Sequence, residues 1–144
     1  MAKANSDLTY LKKYYPDITT EENNHPFTEC ADHADHIKGL GYKAQADWHF
    51  VDQPYLDKGG DISDYNFTFG EVNLVEALST CVLIVKGDTA SIASDDAYYK
   101  QIQDWFSYEV DQVSFALRLI IHYVGDAHQP LHAVAEVDDD HPHR

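Results

Sequence analysis

Positive charge is scarce in this chain. Of its 144 residues, 10 are Lys or Arg and 25 are Asp or Glu, a formal net charge of −15. Such a surface has no general grip on nucleic acid, because non-specific affinity comes from basic side chains that neutralise phosphates. The acidic surface either serves solubility alone, or bound cations supply positive charge where substrate sits. Long apolar runs are also missing, so no segment reads as a membrane span and no membrane partner is expected. The opening Met1-Ala2-Lys3-Ala4-Asn5 lacks the apolar stretch of a secretory signal. Cysteine is limited to Cys30 and Cys81, which do not form a metal-type C-x-x-C pair. One disulfide in an oxidising compartment and two separate buried thiols both fit these two positions. No internal repeat and no domain-splitting linker is visible.

Hydrophobic residues make up 44% of the chain, enough for one domain with a real core. Their spacing is helical. Leu8, Leu11 and Tyr15 follow the capping residues Ser6 and Asp7, and Pro16 closes that short helix. Residues 28–39 repeat Ala31, Ala34 and Ile37, then stop at Gly39 and Gly41. Residues 42–67 have no sustained period and are longer than an ordinary connection, which suggests a role in a site. Thr68 and Glu71 form a capping box for a helix running to about Lys86, with Leu74, Leu78, Cys81, Val82 and Val85 on one stripe and Gly87 as its stop. A further helical stretch starts near Asp95 and runs to about Val124, with room for a break. From Val113 to Gly125 it carries one charge, Arg118, and so reads as a buried helix. The tail from Val137 is polar and is expected to be flexible over 137–144.

Chemistry concentrates in Ile121-His122-Tyr123-Val124-Gly125-Asp126-Ala127-His128-Gln129-Pro130-Leu131-His132. His122 and Asp126 stand four apart, one turn along one helix face, where they can share a metal ion. A buried aspartate without a partner is costly, and a metal removes that cost. Pro130 is expected to end regular helix, with His132 arriving from the following turn. The plainer reading is a satisfied core histidine with a capping aspartate, and the length of the pattern favours the metal. Two further clusters stand upstream: His33-Ala34-Asp35-His36-Ile37-Lys38 and Asp47-Trp48-His49-Phe50-Val51-Asp52. Alone, the first is an exposed polar helix face and the second a packed histidine. Together, the three segments offer the Asp and His ligands that suit zinc.

The order of these motifs resembles the class I zinc-dependent single-strand-specific nucleases of fungi, plants and protists, some of which act as 3′-nucleotidases. The resemblance covers about residues 8–135. It implies an all-α fold, a single multi-helix domain of the zinc nuclease and phospholipase C type over 1–144, and a cluster of three zinc ions. It implies one complete zinc site from Asp35, His49, His122 and Asp126, with Asp126 bridging to a second ion and His132 binding the remaining one. Lys38 stands where the family has a basic residue near the scissile phosphate, and Asp126 serves both binding and catalysis. Phe50 and Asp52 stand where the family stacks and hydrogen-bonds a base, a platform reached only by unpaired strands. The implied substrates are single-stranded DNA or RNA and 3′-nucleotides, with 5′-phosphate products; separately, a monomer is expected. A zinc-dependent phospholipase C and a non-catalytic zinc-binding fragment are the alternatives.

The chain also departs from the family. Its start has neither the zinc-binding terminal Trp nor the His that follows it. Its end, Arg144, comes before the later His-x-x-x-Asp that completes the zinc of His132. The sequence therefore reads as truncated at both ends, and His141 and His143 do not match the missing spacing. His33 replaces the family's usual Trp. The parent protein is expected to be secreted or lysosomal/vacuolar, with Asn66-Phe67-Thr68 as a glycosylation candidate at Asn66.

Overall fold

The computed structural model describes residues 30–65, 67, 68, 70 and 72–138. The short helix expected around Leu8 to Tyr15 and the candidate glycosylation residue Asn66 lie outside them. Among the described residues the fold is all-α. Its helices are α1 (His33–Gly39), α2 (Leu74–Lys86), α3 (Ala97–Trp105), α4 (Glu109–Asp126) and α5 (Pro130–Ala133). Short 3₁₀ turns lie at Ala46–His49, Ile62–Asp64 and Thr89–Ser91.

Helix α4 is the spine. It packs most extensively on α2 and also against α1. The sequence reads as a buried helix because apolar residues occur on nearly all its faces, and every residue from Ser114 to Leu119 is buried. Phe115, Ala116, Leu119 and Tyr123 join Leu74, Ala77, Cys81 and Ile84 of α2, Tyr98 and Ile102 of α3, and Ala34, Ile37, Trp48 and Phe106 in one core. Trp48 stacks edge-on against Tyr98 at 5.0 Å, and Phe115 against Trp105 at 5.6 Å. Each such pair adds about 0.5–1.5 kcal/mol beyond the area it buries.

Several local expectations are redrawn. Helix α2 begins at Leu74 rather than at the Thr68-x-x-Glu71 box. Asn73 is its cap, with Oδ1 accepting from the amides of Val75 and Glu76 at 3.0 Å each. Long-range ties decide this: the Leu74 amide donates to the Phe50 carbonyl at 2.9 Å, and the Asn73 amide to Tyr98 Oη at 2.7 Å. The buried stripe of α2 runs through Leu74, Ala77, Cys81 and Ile84, with Leu78 and Val85 packed at its margin. Gly87 ends the helix as expected, in a left-handed conformation at φ 74°. The long stretch from Asp95 breaks at residues 106–108 between α3 and α4. Pro130 opens the short α5 at its first turn instead of closing a helix, and Gln129 caps it.

Cys30 and Cys81 are not joined by a disulfide. Cys30 Sγ accepts from buried Arg118, whereas Cys81 lies in the apolar core, where burial pushes its thiol up to about 12. Val137, which the polar tail was expected to include, is buried, and its amide donates to the Tyr55 carbonyl at 2.9 Å. Residues 139–144 lie outside the described set.

Two short strands position the site. β1 (Gln53–Tyr55) pairs in parallel with β2 (Val134–Glu136), Gln53 opposite Val134. One strand follows His49 closely and the other follows His132. The Val51 amide adds a bond to the His132 carbonyl at 2.8 Å. Two segments far apart in sequence are thus clamped beside the end of α4.

Candidate metal centre

Three chain segments meet where α4 ends. His122 and Asp126, one turn apart, bring Nε2 and Oδ2 to 3.2 Å. His49, from the 3₁₀ turn, is fully buried and places Nδ1 at 2.8 Å from Asp126 Oδ2 and 3.2 Å from His122 Nε2. Asp35, on α1, faces the same point: Oδ2 is 3.7 Å from His122 Nε2 and Oδ1 is 4.0 Å from His49 Nδ1. Asp35, His49 and His122 each offer a ligand atom within 4.8 Å of the other two, a spacing that could hold a metal ion.

The chemistry of the donor set fits such an ion. The Ala31 carbonyl can only accept, so His122 Nδ1 must donate to it. That leaves Nε2 turned to the carboxylates with its lone pair. His49, His122 and Asp126 are buried and Asp35 is exposed, and the lone pairs that these two carboxylates and two imidazoles turn to one point suit a cation. Zinc takes this kind of set at about 2.0–2.1 Å per bond, which puts tetrahedral neighbours roughly 3.3–3.4 Å apart. The observed ligand-to-ligand separations, 2.8 to 4.0 Å, straddle that value.

The family model for S1/P1 nuclease matches residues 4–141. The chain belongs to the S1/P1 nuclease family. No curated protein and no solved structure matches it. The family is one of zinc-dependent nucleases, in agreement with the donor set.

In this S1/P1 family member, His132 lies beside the four residues but plays a different geometric part. Its Nδ1 donates to the His49 carbonyl at 3.1 Å and lies 3.4 Å from Asp126 Oδ1. Asp126 therefore turns one oxygen to His49 and His122 and the other towards His132. With Nδ1 committed to a carbonyl, Nε2 is the ring atom of His132 left to bind a metal.

Lys38 sits one turn from Asp35, its Nζ 2.6 Å from Oδ1. Partial burial raises the Asp35 carboxyl, but the hydrogen bond and charge of Lys38, followed by His122 and His49, outweigh it and hold it below the usual range. Burial drives His49 down to about 4, helped by the charge of Lys38 and opposed by Asp126. His49 is thus neutral at pH 7, the form a metal requires.

The aromatic part of the site lies alongside. The Phe50 ring is 4.7 Å from that of His132, tilted by 33°. Phe50 and Asp52 line a cleft of about 440 Å³ with Asp47, Phe67, Thr68, Gly70 and Val72. Asp52 adopts a left-handed backbone, φ 50°, the one such non-glycine residue among those described. Strain of this kind, on the order of 1–3 kcal/mol, persists where the surroundings fix it and gathers at binding sites.

Not every histidine is drawn in. His33 is buried against Phe115 at 6.0 Å, and His36 and His128 are exposed. Gln45 stands outside every motif read from the sequence. It is fully buried, and its Oε1 accepts from His49 Nε2 at 2.8 Å. The one signal available was a polar residue four places before a ligand histidine.

Proposed function

We propose that this protein is a zinc-dependent phosphoesterase that cleaves single-stranded DNA and RNA to 5′-phosphate products and removes phosphate from 3′-nucleotides. The observation that carries the reading is the meeting of Asp35, His49, His122 and Asp126 beside a cleft lined by Phe50 and Asp52. A phosphate held at the four ligands would leave its attached base within reach of that cleft. The single-strand preference follows from stacking on Phe50, since a base inside a duplex cannot reach such a surface. Lys38 adds a positive charge for the phosphoryl oxygens, and Asp52 offers an acceptor to a base amino group.

Asp35, His49, His122 and Asp126 would hold one zinc ion, and His132 would contribute to another. Bound zinc supplies Lewis acidity and lowers the pKa of water near it. In hydrolysis the water oxygen bonds to phosphorus, the bond to the 3′ oxygen breaks, and the proton of water ends on that oxygen. The chain's own part is to orient. Ala31 holds His122, and Lys38 holds Asp35. The parent is proposed to work outside the cytosol, in a secreted or lysosomal setting, as a monomer.

The test compares the protein with its Asp126→Ala variant on a single-stranded oligonucleotide, a 3′-nucleotide and a phosphatidylcholine vesicle, all with added zinc. The unmodified protein is expected to cleave the first two, and the variant to lose at least about 100-fold in rate, the scale of a lost transition-state contact. Equal rates for the two proteins would refute the assignment. Release of phosphocholine alone would make the protein a phospholipase C, and zinc binding without turnover would make it a non-catalytic binder.

A further inference from the structure

The structure assigns to Gln45 the part of a positioning residue that sets the geometry of the metal centre through three of its four ligands. This inference rests on the zinc reading above. Gln45 is fully buried and belongs to no helix, yet each end of its amide is engaged. The amide nitrogen donates to the Ala34 carbonyl at 3.0 Å and to the Tyr42 carbonyl at 3.3 Å. Both partners are acceptors only, so the orientation of the amide is fixed: turning it over would set oxygen against two carbonyl oxygens.

The consequence falls on His49. Gln45 Oε1 can only accept, so once a cation takes the place of a proton between His49 Nδ1 and Asp126 Oδ2, 2.8 Å apart, the proton of neutral His49 sits on Nε2, 2.8 Å from Oε1. Nδ1 is then left with its lone pair, turned to Asp126, His122 and Asp35. The other tautomer would place a proton where a metal belongs and set His49 Nε2 against Gln45 Oε1 as two acceptors, whereas the Nε2–H tautomer sets Nδ1 and Asp126 Oδ2 together as two ligands for a cation. The same oxygen also receives Tyr123 Oη at 3.5 Å. Gln45 thus touches Ala34, the neighbour of Asp35; His49 itself; and Tyr123, the neighbour of His122. One uncharged side chain joins three chain segments that each bring a ligand. Partners behind metal-binding histidines commonly carry about 10–100-fold in metal affinity.

The test begins with the unmodified full chain. Nitrogen-15 chemical shifts of its histidine rings in the zinc-loaded protein report which nitrogen carries the proton. His49 is expected to be protonated on Nε2 and His122 on Nδ1. A proton on Nδ1 of His49 would overturn the proposal. Zinc affinity, measured by competition with a chromophoric chelator, is the second readout. Gln45→Met is expected to weaken binding by about 10–100-fold. Gln45→Glu, kept neutral by burial, can donate its hydroxyl towards the Ala34 and Tyr42 carbonyls and keep an acceptor for Nε2, so it should recover part of that loss. Thr80→Val removes a buried hydroxyl bonded to Asp96, far from the ligands in the hydrogen-bond network. It should lower thermal stability and leave affinity unchanged. A folded Gln45→Met protein with unmodified affinity would refute the assignment, as would a Gln45→Glu protein no better than Gln45→Met. Where Gln45→Met does not fold, the ring tautomer decides. His122→Ala separates the two levels: if it too binds zinc normally, the zinc reading itself fails.

Discussion

From Ser114 to Leu119, α4 buries every residue, and the aromatic rings beside it belong to Trp105 and Phe106. One turn further on, from His122 to Asp126, the same helix faces His49, Asp35 and the amide of Gln45. Apart from Ser114 and the Arg118–Cys30 bond, the first stretch is held by burial of apolar area, which gains nothing from an ion. The second is an assembly of groups that crowd one another until a cation joins them. One helix therefore supports two regions with different sources of stability, and measurements can separate them.

The largest separation is expected from Phe115→Ala. Removing this ring from the core should cost about 3–5 kcal/mol, read as a lower urea midpoint, because a cavity is left as well as a lost transfer term. Zinc affinity of the fraction still folded should stay within a few-fold of the unmodified value. A large loss of affinity would show that the two stretches are not independent. Zinc itself probes the other stretch. At a free concentration about 100 times Kd it should stabilise the protein by about 2.7 kcal/mol, and a chelator should remove that gain. His122→Ala should abolish the zinc-dependent shift in Tm while Phe115→Ala keeps it.

Acid provides a smaller effect at the boundary between the regions. Burial, followed by the charge of Arg118, holds His33 down to about 3 from an ordinary 6.5. The unfolded chain therefore takes up this proton first as pH falls. Stability from His33 is complete above about pH 6.5 and is lost progressively towards pH 3. Between pH 7 and 5 the loss should be about 2 kcal/mol, at 1.36 kcal/mol per pH unit. His33→Phe should remove that portion of the slope in urea titrations, and an unchanged slope would point to other groups. The smallest expected effect is at the helix cap. Asn73→Ala should cost about 1 kcal/mol in thermal unfolding and leave zinc binding untouched. A change in affinity would mean that the start of α2 also supports the Phe50 segment.

The sequence made α4 legible because the lone charge over residues 113–125 and the His122/Asp126 spacing are local patterns. The stops at Gly39 and Gly87 were legible for the same reason. The Thr68-x-x-Glu71 pattern misled because its competitor is not local: Tyr98 and Phe50 hold the chain at Asn73 and Leu74. The two cysteines could not be resolved from spacing, since one is tied to Arg118 and the other to the apolar core. Gln45 was invisible for a stricter reason. Its meaning lies in partners 11 residues away at Ala34 and 78 away at Tyr123. No window along the chain contains them.

His49 meets Asp126 across 77 residues and His122 across 73. The Cys30–Arg118 contact spans 88 residues, as long a loop, so the ligands are brought together by the same closure that forms the core. A chain emerging from the ribosome would carry its ligands as scattered, harmless side chains. Closure of the core is thus also the safety catch of the site: handle and edge are forged in one step.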